Sequence, residues 1–178
     1  GSGINVDRGM EEALLAIAKI DGALLLLVGD GDAIPELKSS AKKLGITEKV
    51  RFINRLPYAE LLQFTHAANV GLSLDKDSNI NYRYSLPNKL FDYIHCDIPV
   101  LASRVVEVAA IVKRYQIGSV AADFTPETLQ KEMLLMIEKG KSPFAEGLQK
   151  AREELNWNKE KTVLVNFYST LKKEVEHG

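Results

Sequence analysis

The sequence has one cysteine in 178 residues, Cys96, so no internal disulfide can form. A lone thiol fits a reducing compartment. Charge of one sign is equally scarce, because 23 Lys and Arg stand against 24 Asp and Glu, for a formal net charge of -1. That balance offers no basic excess to recruit nucleic acid and no polybasic segment for a membrane surface. Long hydrophobic runs are missing too. The longest, "ALLLLVG", is far too short to span a bilayer. No signal-peptide pattern is visible in these residues, and no segment repeats at a fixed period. What is present is an ordinary globular composition, 46% hydrophobic and 26% charged, in a length that suits one domain with a core of useful size.

Along the chain, strand patterns alternate with helix patterns. "ALLLLVGDGD" (23–32) reads as a buried parallel strand followed by a Gly-rich turn. "AIPELKSSAKKLG" (33–45) has helical periodicity and stops at Gly45. A strand (49–57), a helix (58–68) and a strand (69–74) follow, then a polar loop, "DKDSNINYRYS" (75–85). A helix over 87–96, a strand over 99–103, a helical segment near 105–115 and a strand over 117–122 come next. Helices occupy the chain after Pro126, and the tail from about 143 is helical and charged. This order predicts an α/β fold: a Rossmann-like open parallel sheet with helices on both faces. In such sheets ligands bind beyond the carboxyl ends of the strands, so the loops after strands carry the chemistry.

Several candidate residues have plain structural readings. "GDGD" is a tight turn whose acids are exposed. "DKDSNINYRYSL" begins like a calcium loop, but Ile80 stands where glycine is needed and Leu86 where a bidentate glutamate is needed, which excludes that site. His66 is a helix residue with a structural role. His95 sits near a helix end, where a histidine is favoured electrostatically. Neither has metal-ligand spacing with Cys96.

The ordered set "VGDGD…ELKSSAKKLGITEKVRFINRLPYAELLQFTHAANVGLSL…LPNKLFDYIHCDIPVLAS" resembles the C-terminal, donor-binding half of a GT-B glycosyltransferase of the group 1, or family four, type. The resemblance runs from about Asn5 to the last helix. It implies a single nucleotide-sugar-binding domain over 1–178, with an N-terminal acceptor domain of the same chain absent from this sequence. It also implies that "NWNKEKTVLVNFYSTL" is similar to the segment that crosses back to that first domain. In "DRGMEEAL", Arg8 stands at the position of the basic residue that meets the donor phosphates, while an earlier family arginine falls at Gly3. "NRLP" matches the loop that contacts the base, giving Asn54, Arg55 and Leu56. The family's pair of glutamates maps onto Tyr84 and Asp92. Asp92 keeps the acid that grips the ribose hydroxyls, and Tyr84 replaces the acid that faces the sugar. In "SLPNK", Ser85, Leu86, Pro87, Asn88 and Lys89 complete the donor set, with Asn88 and Lys89 at the diphosphate.

The chemistry of 85–103 agrees with that resemblance. Pro87 suits the first turn of a helix, where its missing N–H is harmless. The unpaired N–H groups of that turn attract an anion, and Lys89 adds a full positive charge. Asp92, four residues after Asn88, shares its face. A carboxylate there repels phosphate but accepts hydrogen bonds from two vicinal hydroxyls. As a glycosidic bond breaks, charge builds on the leaving diphosphate, and preorganised donors lower the barrier without a metal. The expected substrate is a nucleotide-sugar such as a UDP- or GDP-sugar, with no cofactor and no metal. The catalytic residues are unknown because the acceptor side is missing. The expected setting is cytoplasmic, at the inner membrane face if the missing half associates peripherally, in cell-surface polysaccharide or glycan synthesis. The alternatives are the donor half of a nucleotide-sugar epimerase, a non-catalytic nucleotide-binding module, and a GT-A transferase in which "DGD" or "DKD" holds Mn²⁺ or Mg²⁺. The regular strand–helix alternation argues against the last.

Overall fold

The computed structural model describes residues 3–176, with side chains described through Ser169. Among the described residues, five short strands form two parallel sheets. In the first, β1 (Leu25–Val28) pairs with β2 (Val50–Ile53), Leu25 opposite Val50. The second runs in the order β3 (Gly71–Ser73), β4 (Val100–Ala102), β5 (Gly118–Val120), with Gly71 opposite Val100 and Val100 opposite Gly118. The helices are α1 (Met10–Ala18), α2 (Ile34–Lys43), α3 (Tyr58–Ala67), α4 (Ile80–Arg83), α5 (Asn88–His95), α6 (Val106–Tyr115), α7 (Pro126–Lys139), α8 (Ala145–Glu154) and α9 (Trp157–Glu176).

β4 shows why its sequence is apolar at every position. Leu101 packs with Leu14 of α1 and Leu129 of α7. Val100 and Ala102 pack on the opposite face with Leu90 and Ile94 of α5, Val108 of α6 and Leu148 of α8. Alternate side chains of one strand therefore feed two cores, as a strand covered on both faces requires. The first core also takes Leu25, Leu27 and Val50, so both sheets contribute to it. Helix ends follow their sequence signals. Thr125 accepts the Thr128 N–H ahead of Pro126, and Gly45 takes a positive φ of 68° just past α2.

Three expectations need correction. α1 lies outside the predicted elements, because its N-cap is Gly9 in the left-handed region with no side-chain cap to announce it. The polar loop 75–85 contains α4, one turn of helix capped by the Asn79 side chain, which accepts the Tyr82 N–H. Pro87 is not inside the first turn of α5. It is the N-cap, extended at φ -74° and ψ 143°, and the helix begins at Asn88. The tail is helical as expected, made of a 3₁₀ turn (Ser142–Phe144), α8 and α9, with a break at Leu155, whose ψ of 73° is not helical.

The chain before α1 crosses the carboxyl ends of both sheets. Ile4 N–H bonds to the Asp30 carbonyl after β1, and the Asp7 carbonyl accepts the Lys76 N–H after β3 at 2.8 Å. This path delivers Arg8 to the edge where ligands bind in parallel sheets.

Candidate functional site

The site is built around Asp75, the second residue past β3. Its side chain is 1% exposed. Arg8 Nη1 donates to Asp75 Oδ1 at 2.9 Å. Lys89 Nζ, in the first turn of α5, lies 3.4 Å from the same oxygen and 3.3 Å from Oδ2. The contact with Oδ2 is one of charge, since Oδ2 accepts no aligned hydrogen bond. The Arg8 guanidinium also lies over the Tyr82 ring, 4.5 Å from its centroid, which adds a cation–π contact. Two cations around one acid leave a net positive charge. Burial pushes the Lys89 ammonium below the ordinary lysine range, Asp75 pulls it back up, and Arg8 pushes it further down.

One turn along α5, Asp92 is held by a residue outside the predicted set. The Tyr58 hydroxyl, at the start of α3, donates to Asp92 Oδ1 at 2.7 Å. That bond to a carboxylate favours the neutral phenol and raises Tyr58 to about 12. The second carboxylate oxygen is left to accept a hydroxyl from elsewhere. A prediction follows for the alkaline range. The folded phenol holds its proton more tightly than the unfolded one, so its contribution is present below pH 10.0 and is lost as pH rises through about 12. Asp92→Asn is expected to return Tyr58 toward its ordinary value. The check is the difference in ultraviolet absorbance titration between each protein and its Tyr58→Phe variant; an unmoved Tyr58 titration would show that the bond does not form in solution.

The structure therefore brings Arg8 and Lys89 together and places Asp92 one turn from Lys89. It does not gather the rest of the predicted set by side-chain bonds. Asn54 and Arg55 are exposed after β2 and Leu56 is half-buried there, and none of the three has a side-chain bond among the described residues. Tyr84 ends α4 and is 55% exposed. Ser85 Oγ donates to the Tyr82 carbonyl, which shapes the loop into α5. Leu86 and Asn88 are exposed beside Pro87.

The acids of the two "DxD" patterns are separately engaged. Asp30 Oδ1 accepts the Gly31 N–H, and Asp32 Oδ1 accepts the Val6 N–H. Asp75 faces Arg8 and Lys89, while Asp77 pairs with Arg83 at 2.8 Å. Among the described residues no group of three or more His, Cys, Asp or Glu is placed to hold a metal ion. His95 meets the Leu155 carbonyl at 3.2 Å, and Cys96 is buried beside the Leu62 carbonyl.

A family profile described as glycosyl transferases group 1 matches residues 4–165. The chain belongs to this family. No curated protein matches it by sequence. Among solved structures, the sucrose-phosphate synthase of Thermosynechococcus elongatus is 19% identical with a TM-score of 0.80, over 94% of this chain and 43% of that one. HepE of Anabaena, in complex with UDP and glucose, is 15% identical with a TM-score of 0.80, over 95% and 47%. The C-terminal domain of a group 1 protein from Francisella tularensis, LpcC, is 13% identical with a TM-score of 0.66, over 86% and 80%. The chain thus spans less than half the length of the first two and most of the third. The shared fold is the Rossmann-like half of the GT-B architecture, as the strand–helix order predicts.

Proposed function

We propose that this domain holds the nucleoside-diphosphate part of a sugar donor, for metal-independent glycosyl transfer by a full-length group 1 enzyme. The observation that carries the reading is the convergence of Arg8 and Lys89 beside the first turn of α5, with Asp92 one turn further on. The two cations and the N–H groups of that turn suit a diphosphate, and the carboxylate suits a ribose. HepE, of the same fold, is known in complex with UDP, which supports a nucleotide at this edge. Asn54, Arg55 and Leu56 then line the base, and Tyr84, Ser85, Leu86, Pro87 and Asn88 lie along the sugar and diphosphate.

An acceptor domain fits α9. This helix exposes Trp157, Val163, Val165, Phe167 and Tyr168, each more than half exposed. Such a surface calls for a cover. A role in cell-surface glycan synthesis, at the inner face of the membrane, draws support from WaaG, a neighbour involved in lipopolysaccharide biosynthesis. Among the described residues no helix is long and apolar enough to cross a membrane.

Calorimetric titration of the chain with UDP and GDP tests the reading. One of the two is expected to bind weakly, with EDTA leaving the affinity unchanged, and the chain alone is expected to transfer no sugar because half a cleft cannot position an acceptor. Failure of both nucleotides to bind would refute the nucleotide reading, and a strict requirement for Mn²⁺ would return the "DxD" acids to consideration.

A further inference from the structure

We propose that Asp75 is a positioning residue: its buried carboxylate holds the Arg8 guanidinium and the Lys89 ammonium side by side and so sets the cationic surface that a diphosphate meets. The inference rests on the nucleotide reading above and names the residue that organises it.

The geometry singles out Asp75 in three ways. First, it is fixed. Ser103 Oγ, at the end of β4, donates to the Asp75 carbonyl at 2.6 Å, and the Ser103 N–H bonds to the Ser73 carbonyl. Leu74, the preceding residue, is fully buried. Second, its partners come from distant segments, 67 and 14 residues away in sequence. Third, the acid is sealed at 1% exposure while the side chains of Arg8 and Lys89 are 25% and 24% exposed. The cations keep an outer face for a ligand, and the acid does not. A carboxylate in this position is retained only with paired charge around it. Arginine and lysine together carry more donors than Asp75 can use, so donors remain for a second anion.

The charged groups that act on Lys89 are Asp75, from the end of β3, and Arg8, from the segment before α1. Asp75 favours the protonated amine; burial and Arg8 oppose it. Replacing Asp75 by a neutral residue therefore makes Lys89 shed its proton at lower pH. A simple count of charge says the opposite for the ligand, namely that losing an acid strengthens anion binding at every pH.

The test titrates UDP into the parent chain and into Asp75→Asn. At about pH 6.5 the two affinities are expected to agree within about threefold; at about pH 9, where Lys89 of the variant has lost more of its proton than Lys89 of the parent, the variant is expected to bind roughly tenfold more weakly. Comparing the two proteins at one pH cancels the titration of UDP itself. A folded Asp75→Asn that binds UDP as well as the parent, or better, at both values overturns the proposal. If the parent binds neither UDP nor GDP, the nucleotide reading fails on its own, and the positioning claim is decided without ligand. NMR titration of the Lys89 side chain is then expected to move down in Asp75→Asn and up in Arg8→Gln. If Asp75→Asn does not fold, Arg8→Gln decides alone, and a Lys89 titration that stays put overturns the coupling of the three charges.

Discussion

Lys89→Ala is expected to weaken UDP by roughly ten- to a hundredfold while leaving uridine unaffected, because a hydrogen bond to a charged group contributes about 1.5–3 kcal/mol and only the diphosphate carries that charge. The substitution also removes one of the two cations on Asp75, so the cluster of Arg8, Asp75 and residue 89 loses its net positive charge. Asp92→Asn is expected to behave differently. Its carboxylate reads the hydroxyls of the ribose in this account, so uridine and UDP should weaken together, by roughly tenfold. One Asp92 oxygen is already taken by Tyr58, so part of the loss comes from that bond and is removed by comparison in a Tyr58→Phe background. Competition NMR with uridine, UDP and pyrophosphate separates the two patterns, after circular dichroism has shown that each variant folds. Two folded variants that bind the whole panel like the parent would make the α5 residues structural and end the nucleotide reading of "SLPNKLFDY".

Binding at this site also has a pH sign. Lys89 sits below the ordinary lysine range because burial disfavours its charge. UDP affinity should thus fall on the alkaline side as Lys89 loses its proton, and Lys89→Ala should flatten that limb. This is the same ammonium that Asp75 holds, so the two variants report on one charge from opposite sides.

The parts of the fold that could be read from the sequence are those written as local pattern. β4 is apolar at every position because it feeds two cores, and the stop of α2 at Gly45 is a backbone requirement that only a few residues meet easily. The residues of α5 were legible for a similar reason, since Asn88, Lys89 and Asp92 lie on one helix and their spacing fixes their relative placement. Asp75 and Tyr58 were not. Asp75 reads as one more acid in a polar loop, and nothing local marks it as sealed between Arg8 and Lys89, contacts that span 67 and 14 residues. Tyr58 reads as the first residue of a helix, and its hydroxyl meets Asp92 across a sequence separation of 34. The signal that points to Asp75 is its place at the carboxyl end of a buried strand, where parallel sheets put their chemistry. α1 was hidden by its start, since Gly9 offers no capping side chain.

Gly9→Ala carries the largest expected effect on stability, and it links fold to site. Gly9 has a φ of +71°, and an added Cβ would stand 2.3 Å from the Leu74 carbonyl oxygen and 2.6 Å from the Leu74 Cβ. The left-handed conformation alone costs a residue with a Cβ about 1–2 kcal/mol. The collision is with backbone and with a side chain at 0% exposure, so neither neighbour can swing aside. Together the two should cost about 3 kcal/mol or more, which for a domain of this size lowers Tm by roughly 6–12 °C. Leu74 is followed directly by Asp75, and Gly9 is preceded directly by Arg8. A backbone shift that relieves the clash is therefore expected to disturb the 2.9 Å contact between Arg8 and Asp75. The variant, assayed at a temperature where it remains folded, should lose UDP affinity beyond its loss of stability, while uridine binding through Asp92 is spared. Thermal unfolding followed by titration with both ligands checks each half. A Tm within about 2 °C of the parent would mean that the entry to α1 can move without cost. Unchanged UDP affinity in a clearly destabilised protein would mean that Arg8 reaches the diphosphate without the support of Gly9.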